Sequence, residues 1–224
     1  AIPIDVAMNV AEQLKATGRV QRGQLGVMIQ EVSYNLAKSF GLDKPTGALI
    51  SKVMPDSPAA KAGLQVGDII RSVNGEEVRS SGDLPLTIGS IAPGKDVQLG
   101  IWRKGEQLNL TVTLAQQDSA VAENEHNRAD SAEADNDASF TLPDAGLGLV
   151  LQTGASGESS LVVTRATGAA ARAGLRRGDV IVEVGGVRVN SQESLAAAFK
   201  QAGNQIPLLV QRGGNSLFLA LMLP

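Results

Sequence analysis

One stretch of this chain occurs twice, and that repeat limits the possible folds more than any other feature of the sequence. SPAAKAGLQVGDIIRSVNGEEV, at residues 57–78, recurs without a gap as GAAARAGLRRGDVIVEVGGVRV at residues 168–189, an offset of 111 residues. A shorter pair lies upstream, QLGV at residues 24–27 and GLGL at residues 146–149. Because both copies carry the same parts in the same order, the sequence predicts two domains of one fold.

An acidic stretch separates the two copies. Residues 116–139 contain seven acidic residues and one arginine, with no aromatic residue among them. Such a segment buries too little apolar surface to offset the entropy of ordering it, so it is predicted to be a flexible linker. The sequence thus predicts four parts: a helical segment at residues 1–21, a first domain at 22–116, the linker at 117–139 and a second domain at 140–224.

Within each copy, the residue pattern predicts a mainly β fold with two short helices. In the first copy, the predicted strands are 27–32, 47–53, 69–73, 97–103 and 107–114, and the predicted helices are 57–62 and 83–91. A hairpin turning at Lys104-Gly105 closes the copy. The pairs Gly67-Asp68 and Gly178-Asp179 predict a tight turn whose aspartate accepts backbone N–H bonds before a buried strand.

Composition excludes several classes of function. A net charge of -3 with 3% aromatic residues gives no electrostatic signature of nucleic-acid binding. The chain has no cysteine, so it has no disulfide or thiolate nucleophile. Its one histidine, His126, lies in the acidic stretch, where a flexible linker could not hold it against a serine to form a triad. The chain by itself is therefore predicted to be no enzyme and to bind no metal or cofactor.

The QLGV and GLGL segments are the candidate binding loops. A glycine between apolar residues just before a strand allows successive backbone N–H groups to converge on an anion, while the apolar neighbours line a pocket. A free carboxylate fits such a loop. Taken alone, such a segment is far more often a plain turn at the start of a strand.

The order of the motifs along the chain indicates which kind of domain contains this loop. QLGV or GLGL, then S/G-x-A-x-x-A-G-L-x-x-G-D, then a helix and a hairpin, resembles the PDZ family of peptide-binding domains. The opening AIP…VAEQLKATGRVQRGQLGV and an inserted segment at residues 37–45 resemble HtrA-type serine proteases of the DegP/DegQ kind. The resemblance implies two PDZ-like, partly open β-barrels or sandwiches, each capped by two helices. It also implies a periplasmic parent protease whose catalytic domain is absent from this chain.

The resemblance also implies a binding mode. Backbone N–H groups of Leu25, Gly26 and Val27 would hold the C-terminal carboxylate of a ligand, which would add as an antiparallel strand beside residues 27–30. The implied peptide-binding residues are Arg22, Leu25, Gly26, Val27, Met28, Ile29, Ser81 and Ile88 in the first copy, and Leu147, Gly148, Leu149, Leu151, Gln192, Ala196 and Phe199 in the second.

Two substitutions refine this expectation. Many family members carry a histidine at the head of the second helix that reads a ligand serine or threonine, whereas Ser81 and Gln192 align there. The sequence therefore predicts only an apolar terminal residue in the ligand. Arg22 precedes the first loop where Asp144 aligns in the second, and a carboxylate there opposes an anion. The first domain is thus predicted to be the peptide receptor, and the second to bind weakly or to serve assembly.

The expected partners follow from the resemblance. They are C-termini or extended segments of unfolded or signalling proteins, the parent protease domain, and further copies of the chain in a homo-oligomer. The module would deliver substrate to the protease or shift its active population. The alternative is a free-standing tandem PDZ scaffold with no attached protease.

Overall fold

The computed structural model describes residues 22–116, 139–153 and 159–223. The predicted helical segment at 1–21, nearly all of the predicted linker and His126 lie outside the described residues. The described chain forms two compact units, one made of residues 22–32 and 46–116, the other of residues 33–45, 139–153 and 159–223. The domain boundaries given above remain a prediction.

Short helices and antiparallel strands make up both units, as predicted. The helices of the described residues are α1 (Tyr34–Ser39), α2 (Pro58–Lys61), α3 (Asp83–Ser90), α4 (Gly168–Arg172) and α5 (Gln192–Gln201). None of them is long and apolar enough to cross a membrane.

The first unit contains a sheet in the order β2-β3-β4-β6-β7, with β5 beside β4 and a separate β1-β8 pair. Its strands are β1 (Gly23–Gln24), β2 (Val27–Glu31), β3 (Ala48–Val53), β4 (Ile69–Val73), β5 (Glu76–Glu77), β6 (Asp96–Arg103), β7 (Glu106–Thr113) and β8 (Ala115–Gln116). The sheet is open, so β2 forms one of its edges. This arrangement confirms the predicted mainly β sandwich.

The second unit repeats this sheet with one addition. Its strands are β9 (Ser139–Leu142), β10 (Leu147–Thr153), β11 (Ser159–Ala166), β12 (Val180–Val184), β13 (Val187–Arg188), β14 (Gln205–Arg212) and β15 (Asn215–Met222). They run in the order β15-β14-β12-β11-β10-β9, with β13 beside β12. β10 is the counterpart of β2, but it has β9 on its outer side.

Each unit has its own apolar core, drawn from alternate strand positions and from one face of each helix. The fully buried side chains include Ile50, Ile70 and Leu99 in the first unit and Leu149 and Ile181 in the second. The two cores share no residue, which is the structural counterpart of the sequence repeat.

A buried ion pair fixes the turn before β4. Asp68 is 1% exposed, and its carboxylate accepts the Gln65 N–H at 2.8 Å. Arg103 donates to both oxygens of that carboxylate at 2.7 Å and also to the Gly63 carbonyl. The aspartate thus accepts the backbone bond that the sequence predicts, and a bidentate arginine from β6 compensates its burial.

The second unit contains the same arrangement. Asp179 accepts the Arg176 N–H at 2.8 Å and pairs with Arg212, which also reaches the Gly174 carbonyl. Burial alone would raise the pKa of Asp179, but the hydrogen bonds from Arg212 and Arg176 outweigh it and hold this pKa below its usual value. The hydrogen bond with Asp179 raises the pKa of Arg212 in turn.

Helix α1 was not predicted from the sequence. Ser33 caps it, because the Ser33 hydroxyl accepts the Leu36 N–H at 3.3 Å. The helix lies in residues 33–45, which group with the second unit, and Phe40 there meets Phe218 edge-on with ring centroids 5.4 Å apart. Aromatic contacts of this geometry add to the burial energy of the rings.

Replacing Asp68 with asparagine tests the buried ion pair. We expect the unfolding free energy of the first unit to fall by about 2 to 3 kcal/mol, since Arg103 loses its charged partner. Trp102, the chain's one tryptophan, lies beside Arg103 on β6, so urea unfolding followed by its fluorescence reports this unit. The exposed Glu77→Gln is the matched control and should change stability by under about 0.5 kcal/mol. Equal midpoints for both variants would contradict the role assigned to Asp68.

Candidate peptide-binding groove

A groove lies between the edge strand β2 and helix α3 in the first unit. It encloses a cavity of about 280 Å³. The cavity is lined by Arg22, Gly23, Gln24, Leu25, Gly26, Val27, Ile29, Leu84, Pro85, Ile88 and Gly89. Six of the eight residues predicted for this site therefore line one cavity; Met28 and Ser81 are not among the lining residues.

The loop before β2 has its carbonyl groups fixed and its amide groups free. The Leu25 carbonyl accepts the Ala59 N–H, and the Gly26 carbonyl accepts the Met54 N–H, both at 2.9 Å. Within the described part of the chain, the amides of Leu25 and Gly26 donate to no acceptor. Two adjacent free N–H groups at the mouth of a cavity form a site for an anion.

Gly26 is required by both its backbone angle and its surroundings. Its φ of 76° lies in the left-handed region, which side chains with a Cβ rarely adopt. A Cβ on this residue would also collide with the Cβ of Ser57. Ser57 cannot move aside easily, because its hydroxyl caps α2 by accepting the Ala60 N–H at 3.2 Å.

Apolar side chains form the walls of the groove. Val27 and Ile29 alternate on β2 and are half-buried, so both remain partly accessible. Leu84 and Ile88 face them from α3 and are nearly buried, at 2% and 4% exposure. Leu84, which is not among the predicted binding residues, belongs to the core of the unit and also lines the cavity.

Arg22 stands at the loop end of the groove. Its side chain is exposed, and its Cδ lies 3.9 Å from the position that a Cβ would take on Gly89. The aliphatic stem therefore runs along the last turn of α3, beside the free amides. A guanidinium there adds positive charge to the anion site.

Glu31 and Ser81 link β2 to the start of α3, away from the loop before β2. The Ser81 amide and hydroxyl donate to the Glu31 carboxylate at 2.8 and 2.5 Å. This pair joins the last residue of β2 to the entry of α3. The position where family members carry a histidine is thus occupied by a serine bonded to a carboxylate.

The corresponding loop of the second unit begins two residues earlier than the GLGL alignment predicts. The Ala145 carbonyl accepts the Ala170 N–H at 3.0 Å, as the Leu25 carbonyl accepts the Ala59 N–H. The following residue, Gly146, has a φ of 70°, close to that of Gly26. Ala145 and Gly146 are therefore the counterparts of Leu25 and Gly26.

This register changes the alignment of Asp144 with Arg22 that was made from the sequence. Asp144 stands at the place of Gln24, and Leu142 stands at the place of Arg22. The alignment was wrong because glycine and leucine alternate in this segment, so that it matches the first loop in two registers.

The residues predicted for the second site differ in their burial, and Leu147, Leu149, Leu151 and Phe199 belong to one apolar cluster. Leu147 and Leu149 belong to the core at 2% and 0% exposure, and Gly148 is also buried. Leu151 on β10 and Ala196 and Phe199 on α5 are half-buried, and Gln192 is exposed at the first residue of α5. Within the described ranges, no cluster of histidine, cysteine, aspartate or glutamate could hold a metal ion.

Comparison with known proteins agrees with this geometry. Two family models, each described as a PDZ domain, match residues 23–114 and residues 162–212. The chain therefore belongs to the PDZ family and carries two PDZ domains.

More specifically, the chain is similar to proteins named periplasmic serine endoprotease DegP-like. One from Halomonas elongata is 42% identical over 234 residues, and one from Pseudomonas savastanoi pv. phaseolicola is 40% identical over 233. Both alignments cover 100% of this chain and 47% of the relative, so the chain spans about half their length. Among solved structures, the HtrA-type protease AlgW with decapeptide is 30% identical, with a TM-score of 0.45 over 53% of this chain and 36% of that one.

The Gly26→Ala variant tests the geometry of the loop. Its matched control is Gly75→Ala, since Gly75 has a similar φ of 86° but open space around a Cβ. Both substitutions incur the left-handed backbone cost of roughly 1 kcal/mol, whereas only Gly26→Ala adds a collision with Ser57. We expect Gly26→Ala to lower the urea midpoint further than Gly75→Ala does. Identical midpoints would show that the loop is not as tightly packed as described.

Proposed function

We propose that the first PDZ domain binds the free C-terminus of another polypeptide by strand addition. This proposal rests on two backbone features that lie at the same cavity and can both accept a ligand. β2 is a sheet edge, and the amides of Leu25 and Gly26 have no acceptor within the described residues. A peptide strand would bond to the first, and its terminal carboxylate to the second.

The cavity supports selection of an apolar terminal side chain. Val27, Ile29 and Ile88 offer apolar surface next to the anion site. Burial of such a side chain gains roughly 25 cal/mol per Å² of apolar area. Farther from its C-terminus, the ligand would pass Glu31 at the end of β2. The negative charge of Glu31 disfavours an acidic ligand residue there and favours a basic or hydroxyl one.

We further infer that the chain is the recognition and regulatory module of a periplasmic serine endoprotease. The support is its similarity, along its full length, to relatives named in that way. In such a protein, capture of exposed C-termini from unfolded or signalling proteins would bring substrates to the catalytic domain or shift its active population. This role fits protein quality control and the envelope stress response.

Titration with two matched peptides tests the carboxylate site. One peptide ends in a free apolar residue, and its twin is amidated at the C-terminus. Losing charged hydrogen bonds worth about 1.5 to 3 kcal/mol should weaken the amidated peptide roughly 10- to 100-fold in isothermal titration calorimetry. The Arg22→Gln variant should weaken the free peptide only a few-fold, and less so in high salt, because Arg22 is exposed.

Arg71→Gln on β4, where the arginine is half-buried and does not line the cavity, is the control for a general charge effect and should leave both affinities unchanged. Equal affinity for the two peptides would refute the carboxylate site and with it the proposed mode of binding.

A further inference from the structure

A strand of the chain itself lies along the binding edge of the second PDZ domain. β9 runs antiparallel to β10, with Phe140 opposite Leu149 and Leu142 opposite Leu147. In the first domain, β2 pairs with β3 alone among the described strands. A C-terminal ligand would add to β2 in the direction that β9 takes along β10.

Equivalent positions establish that the two edges correspond. Ile50 on β3 bonds to both Asp68 and Gly67 through its backbone, and it pairs with Ile29. Val163 on β11 makes the same two bonds with Asp179 and Gly178, and it pairs with Leu149. Leu149 is therefore the counterpart of Ile29, and Leu147 is the counterpart of Val27.

Burial distinguishes the two edges. Val27 and Ile29 are partly accessible, whereas Leu147 and Leu149 are 2% and 0% exposed. The apolar surface that is open in the first groove is covered in the second.

The side chains of β9 are arranged as those of a bound peptide. Phe140 and Leu142 lie on one face and pack against the core of the unit, which α5 also contacts through Phe199. Ser139 and Thr141 alternate with them and are exposed. Leu142 thus occupies the place of a ligand's terminal side chain, and Phe140 the place of the side chain two residues before it.

One of the two amides at the anion site of the second loop is also occupied. The Gly146 amide donates to the Pro143 carbonyl at 3.0 Å, whereas the equivalent Gly26 amide has no acceptor within the described residues. The backbone carbonyl oxygen of Pro143, the residue after Leu142, therefore takes the place that a ligand's carboxylate would take in the first domain.

Pro143 cannot make the backbone hydrogen bond that the first domain makes at the same position. Its counterpart, Gly23, donates its N–H to the Ile91 carbonyl at 3.1 Å, and a Cβ there would lie 2.7 Å from the same oxygen. Proline has no N–H to donate and brings a ring into that space. Pro143 therefore cannot take the backbone position that Gly23 takes, and residues 139–142 lie along β10.

We propose that residues 139–143 are a built-in ligand of the second PDZ domain. The second groove accepts another polypeptide, one with apolar residues at alternate positions as in Phe-x-Leu, only when this strand is released. The inference that the second groove can bind a peptide rests on the function proposed for the first domain. The pairing of β9 with the edge strand β10 does not depend on that function.

Charged residues at the two buried positions of β9 test the proposal in the intact chain. The variant is Phe140→Asp combined with Leu142→Asp, and the control is Thr141→Asp on the exposed face of the same strand. We expect amide hydrogen exchange at residues 147–150 to rise at least about tenfold in the double variant while β12 and β14 stay protected. The control should exchange like the wild type.

A binding measurement completes the test. The probe is the acetylated peptide Ser-Phe-Thr-Leu with a free C-terminus, followed by isothermal titration calorimetry. The wild type and the control should bind one peptide per chain, and the double variant should bind two.

Two results would overturn the proposal. One is a double variant that keeps β12 and β14 protected yet gains neither faster exchange at 147–150 nor a second site. The other is loss of protection in β12 and β14 both in the double variant and in the milder Phe140→Ala, Leu142→Ala variant, because β9 would then be part of the core. Faster exchange at 147–150 without peptide binding at either domain would instead refute the proposed function and leave the occupancy standing.

Discussion

The buried aspartate that follows the paired glycine holds each domain together. Asp68 ties the turn before β4 to Arg103 on β6, and its own backbone carbonyl accepts the Ile50 N–H at 2.8 Å. Ile50 in turn pairs with Ile29 on the edge strand. The ion pair therefore sets the position of β3 and, through it, the edge along which a ligand would lie. Because the charge is nearly inaccessible, only a bidentate partner such as arginine makes this burial tolerable.

One fold thus supports two different states of the same edge. In the first domain, Gly23 donates its N–H to the Ile91 carbonyl and pairs with Gln116 on β8, and β2 pairs with β3 alone among the described strands. In the second, Pro143 cannot donate the corresponding bond, and residues 139–142 lie along β10. An unpaired strand edge is a hazard for aggregation as well as an opportunity for binding. In the second domain, β9 pairs with the edge strand and so protects it from aggregation. In the first domain, the edge strand lies beside a short apolar groove that can bind a ligand.

Sequence reasoning predicted the features that depend on local pattern. The repeat indicated two domains, alternation located β3 and β4, and the Gly-Asp pair indicated the turn that Asp68 occupies. It did not find α1, whose residues are short of acidic first-turn signals, or the arginine partner of Asp68, which is distant in sequence. β9 was also missed, although Ser139 to Leu142 alternates as a strand should; the acidic composition just before it masked the pattern. The loop register failed for a different reason, because the hydrogen bond from α4 to the Ala145 carbonyl and the positive φ of Gly146 distinguish Gly146 from Gly148, and neither can be read from the sequence.

The difference between an open and an occupied edge is the central claim, and it can be read residue by residue. The direct measurement is a backbone NMR titration of the isotopically labelled wild-type chain with a peptide ending in a free leucine. The account predicts that amide shifts begin at residues 25–30 and that residues 145–150 stay unchanged. Shifts that appear first at residues 145–150, or equally in both loops, would contradict it.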